Sequence, residues 1–137
     1  MENYFLPQMN EQQLLAMSNL SLAHMGDCVF ELLCRSWLCA QGHTNAGQLH
    51  KKTVELVKAP AQAQMVPALL PLLTQQELAA YRRGKNAHVH AVPKGPTAQE
   101  YALATGLEAL FGWLFLSGQS QRANQLFVAG MEARHGL

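Results

Sequence analysis

Three carboxylates lie on helical faces that are otherwise largely apolar, where a simple hydrophobic core would not place them. Asp27, the only aspartate of the chain, and Glu31 fall one turn apart on a stripe of otherwise apolar residues. Glu108 lies in the middle of a second such stripe, between Tyr101 and Phe115. An unpaired ionised carboxylate in apolar surroundings is costly, so each group needs a cation, a hydrogen-bond partner or a wet cleft.

A divalent cation shared between the two helices would satisfy these carboxylates. Mg²⁺ prefers oxygen ligands and usually keeps several waters, so a site with few carboxylates is chemically reasonable. The alternative is that Glu31 or Glu108 pairs with an arginine, such as Arg35, or borders solvent. The residue pattern alone leaves both interpretations open.

Basic residues are concentrated locally, although the formal net charge of +1 gives no global argument for nucleic acid. No acidic residue occurs between Glu77 and Glu100, and that interval contains Arg82, Arg83, Lys85 and Lys94. A weaker basic tract contains Arg35, Lys51 and Lys52. We interpret the first tract as a candidate contact for an anionic partner and the second as a weaker one.

Length and composition predict one domain spanning residues 1–137, with 49% hydrophobic and 14% charged residues. The N-terminus lacks the basic start and apolar run of a signal peptide, and no stretch approaches the roughly 18 to 20 apolar residues that span a membrane. We therefore expect a cytoplasmic protein. Three cysteines without CxxC spacing are expected to be buried free thiols: Cys28, Cys34 and Cys39.

Helix formers dominate the chain and no sustained alternation of apolar and polar residues indicates strands, so the fold class is all-α. Thr74 with Glu77, and Thr97 with Glu100, have the spacing of capping boxes, and Asn45 is a candidate N-cap. The predicted helices cover residues 11–18, 20–40, 46–57, 60–70, 75–84, 98–117 and 120–134. Residues 84–96, rich in glycine and proline, are predicted to form a surface loop.

Gly26 precedes Asp27 inside the longest predicted helix, where glycine costs about 1 kcal/mol relative to alanine. A glycine retained at such a position suggests that another backbone approaches closely there. The histidines carry weaker signals. We interpret His24 as a structural histidine, and His88 and His90 as surface residues or contacts for an anionic partner, because Mg²⁺ disfavours imidazole.

Three segments, in order, resemble the ribonuclease III catalytic domain, and more closely the Mini-ribonuclease III branch that lacks a separate RNA-binding domain. Residues 22–31 (LAHMGDCVFE) resemble the signature helix that presents a metal-binding aspartate. Residues 81–87 (YRRGKNA) resemble a basic segment of the Mini branch, and residues 104–112 (ATGLEALFG) resemble the second signature, with its metal-binding glutamate. The resemblance covers residues 14–128.

The chain departs from the larger ribonuclease III enzymes at two positions. Ala23 stands where those enzymes carry glutamate, and Thr105 stands where they carry aspartate. The Mini branch is similar to this sequence at both positions. The number of bound metal ions therefore stays open.

The resemblance implies a ribonuclease III-like helical bundle that cleaves double-stranded RNA as a Mg²⁺-dependent homodimer. Asp27 and Glu108 would be the catalytic metal ligands, with Glu31 in support. RNA would be contacted by Arg82, Arg83, Lys85 and Asn86. The implied products carry a 5′ phosphate and a 3′ hydroxyl, and the implied substrate is the precursor of large-subunit (23S) ribosomal RNA.

Two rival interpretations remain at this point. The protein would be a non-catalytic module that binds duplex RNA, or a structural helical protein whose acids form internal salt bridges. For a homodimer, Ala102, Gly106 and Ala109 would permit close helix contact, with Phe30 and Trp113 as anchors; the sequence does not identify the dimer face.

Overall fold

A computed structural model of the chain describes residues 3–87 and 94–135. Seven α-helices occupy these ranges: α1 (Glu11–Ala16), α2 (Asn19–Ala40), α3 (Ala46–Val57), α4 (Ala59–Leu69), α5 (Gln75–Lys85), α6 (Ala98–Leu116) and α7 (Ser120–His135), with a 3₁₀ turn at Leu70–Leu72. No strand occurs in these residues. The all-α prediction is confirmed.

Side-chain caps set most helix boundaries where the sequence predicts them. Thr74 and Thr97 each accept a hydrogen bond from the backbone N–H three residues later, and Glu77 and Glu100 accept one from the backbone of the capping threonine. Helix α1 is two residues shorter than predicted, because Ser18 instead caps α2 by accepting a hydrogen bond from the Ser21 N–H. Of the predicted loop, positions 88–93, which include His88 and His90, lie outside the described residues.

Helix α6 is the centre of the bundle and packs against α2, α4, α5 and α7. Its Phe111 makes an edge contact with Phe30 of α2, with ring centroids 5.6 Å apart, and Phe30 makes a second one with Phe127 of α7 at 5.8 Å. All three side chains are buried. Such edge-to-face pairs add to the stabilisation from area burial alone.

Glycines allow α2 and α6 to touch backbone to backbone. A Cβ atom added to Gly26 would lie 1.5 Å from the Glu108 carbonyl oxygen, and one added to Gly112 would lie 2.1 Å from the Leu22 carbonyl oxygen. The close backbone approach predicted at Gly26 is therefore present. The backbone that Gly26 approaches is that of Glu108, whose side chain is one of the candidate metal ligands. This contact sets the distance between the two candidate metal-binding helices.

Several residues proposed for dimer contact are instead used inside the chain. Gly106 packs against the ring of Tyr81, while Ala109 and Phe30 are completely buried. The expectation that these three contact a second copy is wrong, because small and aromatic residues on α6 and α2 serve the internal helix packing. The cysteine expectation is also wrong in part, since only Cys34 is buried, whereas Cys28 and Cys39 are exposed free thiols.

An ion pair between a buried carboxylate and a partly exposed arginine joins α5 to α7. Arg122 donates from Nε to Glu77 Oε2 at 2.8 Å and from Nη2 to the Leu72 carbonyl at 2.8 Å. Burial by itself raises the pKa of Glu77, but the hydrogen bonds from Arg122 and Thr74 and the Arg122 charge outweigh it, so the pKa lies below the ordinary 4.5. The pair is thus a pH-dependent element of stability.

Arg122→Met is expected to lower the free energy of unfolding by about 2 kcal/mol near neutral pH, because it leaves a buried carboxylate without its cation. A depressed carboxyl pKa stabilises the fold above the unfolded-state pKa and loses that effect as pH falls through the folded-state value. The gap between wild type and variant should therefore shrink below about pH 4.5. Urea unfolding at several pH values measures it; a gap that widens on acidification would contradict this assignment.

Among the helices that the structure describes, none combines the length and the hydrophobicity needed to cross a membrane.

Candidate active site

Asp27 lies on the exposed face of α2, at the edge of a groove of about 640 Å³. Glu31 and Arg35 follow it along the same groove, one and two turns further on. The helix carries an apolar buried face opposite, which fixes the side that Asp27 presents to solvent.

Glu108 reaches Asp27 from α6 and is partly buried. Burial, together with the negative charge of the nearby Asp27 carboxylate and a hydrogen bond shared with it, raises the pKa of Glu108 to about 8, although the hydrogen bond from Gln62 acts in the opposite direction. Two carboxyl groups in contact cannot both ionise cheaply without a cation between or beside them. The structure thus brings Asp27 and Glu108 together, and their role as metal ligands stays a prediction.

Gln62 of α4 is the third side chain at this position. Its Nε2 donates to Glu108 Oε2 at 3.2 Å and to the Val57 carbonyl at 2.8 Å. Sequence reasoning missed this residue, because a glutamine in an alanine-rich helical segment has no distinctive signal. Only the packing of α4 against α6 brings it to the carboxylates.

Carboxylate oxygens are the ligands that hard divalent cations prefer, although the His24 imidazole and the Cys28 thiol also line the groove beside Asp27. Asp27 and Glu108 supply the carboxylates, and the Oε1 atom of Gln62 is buried without a hydrogen-bond partner among the described residues. In those residues there is no group of three or more His, Cys, Asp or Glu side chains arranged to hold a metal. The candidate centre therefore depends on the carboxylate pair.

Comparisons with known proteins identify the family of the chain. The profile of the ribonuclease III domain matches residues 20–119. The Mini-ribonuclease 3 of Symbiobacterium thermophilum is 39% identical over 86% of this chain and 91% of its own length, and that of Thermoanaerobacter sp. is 40% identical over 90% and 87%. The chain belongs to the ribonuclease III family, in its Mini-ribonuclease III branch. Membership supports an endoribonuclease, a hydrolase of phosphodiester bonds, as the class of activity.

A solved structure supports the family fold independently. The crystal structure of a protein from Fusobacterium nucleatum superposes with a TM-score of 0.76 at 26% identity, covering 89% of this chain and 96% of that one. The predicted ribonuclease III-like helical bundle is confirmed.

Glu31 forms an ion pair with Arg35, which is one of the alternatives that the sequence left open. Its Oε2 pairs with Arg35 Nη2 at 2.6 Å, and the two side chains are 36% and 62% exposed. An exposed pair of this kind is worth little and exchanges easily. Glu31 lies in the groove beside Asp27, and its exposed ion pair with Arg35 contributes little stability. Its supporting role toward a metal stays a prediction.

The basic residues of the family segment divide into two groups. Arg82, Lys85 and Asn86 are exposed at the C-terminal end of α5. That end lies against α6 just before Glu108, because Gly84 packs on the Thr105 carbonyl and on Gly106. These three exposed side chains remain candidates for RNA contact.

Arg83 differs from the prediction. Its guanidinium donates to Asn19 Oδ1 and to the Met17 carbonyl, both at 2.7 Å, and to the Leu14 carbonyl at 3.3 Å. The side chain stabilises the junction between α1 and α2, and its guanidinium donors are used there rather than for contact with phosphate. His24 also differs, since it is exposed and lines the groove beside Asp27, which contradicts the structural interpretation.

Proposed function

We propose that this protein is a Mg²⁺-dependent endoribonuclease that cleaves double-stranded RNA, and that its cellular substrate is the precursor of 23S ribosomal RNA in the cytoplasm. The observation that carries the proposal is the contact between the Asp27 and Glu108 carboxyl groups beside an open groove. The relatives named Mini-ribonuclease 3 support the same reaction class.

In this proposal the carboxylates would bind and orient the metal ion, and water rather than a carboxylate would be the nucleophile. When bound, Mg²⁺ neutralises phosphodiester charge and lowers the pKa of a water. Asp27 and Glu108 would hold the cation, with Glu31 of the neighbouring groove in support. Attack of water on phosphorus breaks the bond to the 3′ oxygen, which takes a proton, so the products are a 5′ phosphate and a 3′ hydroxyl.

Duplex RNA is recognised mainly through phosphates, 2′-hydroxyls and groove shape, so a binding surface needs cations and polar donors rather than base contacts. Arg82, Lys85 and Asn86 supply these at the end of α5, and Lys51 and Lys52 are exposed on α3 as weaker candidates. Affinity should fall steeply with salt, because each neutralised phosphate releases counterions.

The proposal is tested by incubating purified protein with a labelled duplex RNA, with its separate single strands, and with Mg²⁺ or a chelator. Cleavage of the duplex alone, dependent on Mg²⁺ and yielding 5′ phosphates, is the expected result. Salt-sensitive binding without cleavage would favour the non-catalytic RNA-binding alternative. Mapping RNA ends in cells with and without the protein tests the ribosomal substrate.

A homodimer is part of the proposal, because each site cuts one strand and a duplex has two. Leu20, His24, Cys28 and Leu32 recur every four residues and form an exposed stripe along α2. Leu20 and Leu32 are 43% and 52% exposed, which is high for apolar side chains on one helical face. A second copy packed on this stripe would bring two Asp27–Glu108 sites to one interface.

Leu32→Glu is expected to convert the dimer into a monomer and to reduce duplex cleavage at least about tenfold, because a charge would be buried at the interface centre. Val128→Glu is the matched control, since Val128 is 43% exposed on α7 and lies off the stripe. Light scattering after size exclusion reports the mass. Equal masses for both variants would exclude the α2 stripe as the dimer face.

A further inference from the structure

Gln62 is buried to an extent that is unusual for an amide side chain. Its relative exposure is 1%, and it lies on the face of α4 that packs against α6. Buried polar groups are almost always hydrogen-bonded, so the partners of each amide atom indicate why the residue is polar.

The hydrogen bonds determine the orientation of the amide. The Val57 carbonyl can only accept a hydrogen bond, so the NH₂ group must face it, and the same Nε2 atom lies 3.2 Å from Glu108 Oε2. Val57 is the last residue of α3, next to the start of α4. The Gln62 amide therefore connects the Glu108 carboxyl group, through two hydrogen bonds, to the backbone at the α3–α4 junction.

The other amide atom, Oε1, is buried and has no partner among the described residues. It belongs to the same amide group as Nε2, which donates to the Glu108 carboxyl group. An acceptor in this position needs a donor, and water is the donor that a hydrated cation brings with it.

We propose that Gln62 is a positioning residue of the metal centre: its Nε2 holds Glu108 in one orientation, and its Oε1 accepts a hydrogen bond from water in that centre. This inference rests on the proposed function, and it assigns a role to a residue outside the carboxylate pair. A purely structural glutamine would need only the Val57 carbonyl and would leave metal binding unchanged when replaced.

The test uses Gln62→Met, which keeps the length of the side chain and removes both hydrogen bonds. Thr53→Val is the matched control, because Thr53 is 5% exposed and its hydroxyl donates at 2.7 Å to the Leu49 carbonyl within α3. Mn²⁺ binding to the full chain is followed by electron paramagnetic resonance, and duplex cleavage is measured across Mg²⁺ concentrations. Gln62→Asn, with a shorter amide, serves if the methionine variant does not fold.

We expect about tenfold weaker Mn²⁺ binding in Gln62→Met, in line with the effect of losing a partner of a metal ligand. The Mg²⁺ concentration for half-maximal cleavage should rise by a similar factor, with activity largely recovered at high Mg²⁺. Thr53→Val should match wild type in both measurements. Unchanged Mn²⁺ affinity in the Gln62 variants overturns the positioning role alone, whereas absence of Mn²⁺ binding and cleavage in wild type overturns the proposed function with it.

Discussion

Asp27→Asn is expected to reduce Mg²⁺-dependent cleavage of duplex RNA at least about a thousandfold, corresponding to roughly 4 kcal/mol of lost transition-state stabilisation. Asparagine keeps the shape of the side chain but removes the negative charge that a divalent cation requires. Glu108 would then be the only remaining carboxylate of the contact pair. Cleavage rates under single-turnover conditions, with enzyme in excess, measure the loss.

The melting temperature of Asp27→Asn shows whether the loss of cleavage comes from the missing metal ligand or from unfolding. Because the Asp27 charge opposes ionisation of Glu108, its removal should leave the metal-free melting temperature unchanged or higher. Mg²⁺ should raise the melting temperature of wild type but not of Asp27→Asn, since a ligand stabilises only the state that binds it. A variant that cleaves within tenfold of wild type would remove Asp27 from the metal centre.

Gly26→Ala is expected to lower the stability of the fold strongly, although it adds only one methyl group. Its Cβ would lie 1.5 Å from the Glu108 carbonyl oxygen and 2.8 Å from the Gly112 nitrogen, both of which are backbone atoms in the middle of α6. Overpacking of this kind forces the helices apart, and we expect a loss of about 4 kcal/mol or more in the free energy of unfolding. That is a large part of the total stability of a typical domain, about 5 to 15 kcal/mol.

Gly47→Ala is the control for the gain in helix propensity. Gly47 is exposed in α3, and a Cβ there would meet only the Asn45 side-chain oxygen, at 3.3 Å. Its stability should stay within about 1 kcal/mol of wild type. Thermal and urea unfolding of both variants compare the two sites, and similar stabilities would mean that α2 and α6 are not held together by this backbone contact.

Local signals were sufficient for the helical architecture. Thr74, Thr97 and Asn45 act within one turn of their own backbone, so their capping can be read from spacing of three residues. The apolar stripes likewise indicate helices, and the order of three motifs indicates the family. The local prediction failed at the end of α1, which was expected at residue 18. The helix ends at Ala16 because Ser18 is the N-cap of α2.

Long-range contacts decided the composition of the site. Arg83 resembles its basic neighbours Arg82 and Lys85 in sequence, yet its guanidinium is directed to acceptors more than 60 residues away along the chain. Gln62 likewise meets Glu108 only across the α4–α6 packing. A helix repeats every 3.6 residues and so reveals which face a side chain occupies. What lies opposite that face depends on how the helices pack, which is a property of the whole fold.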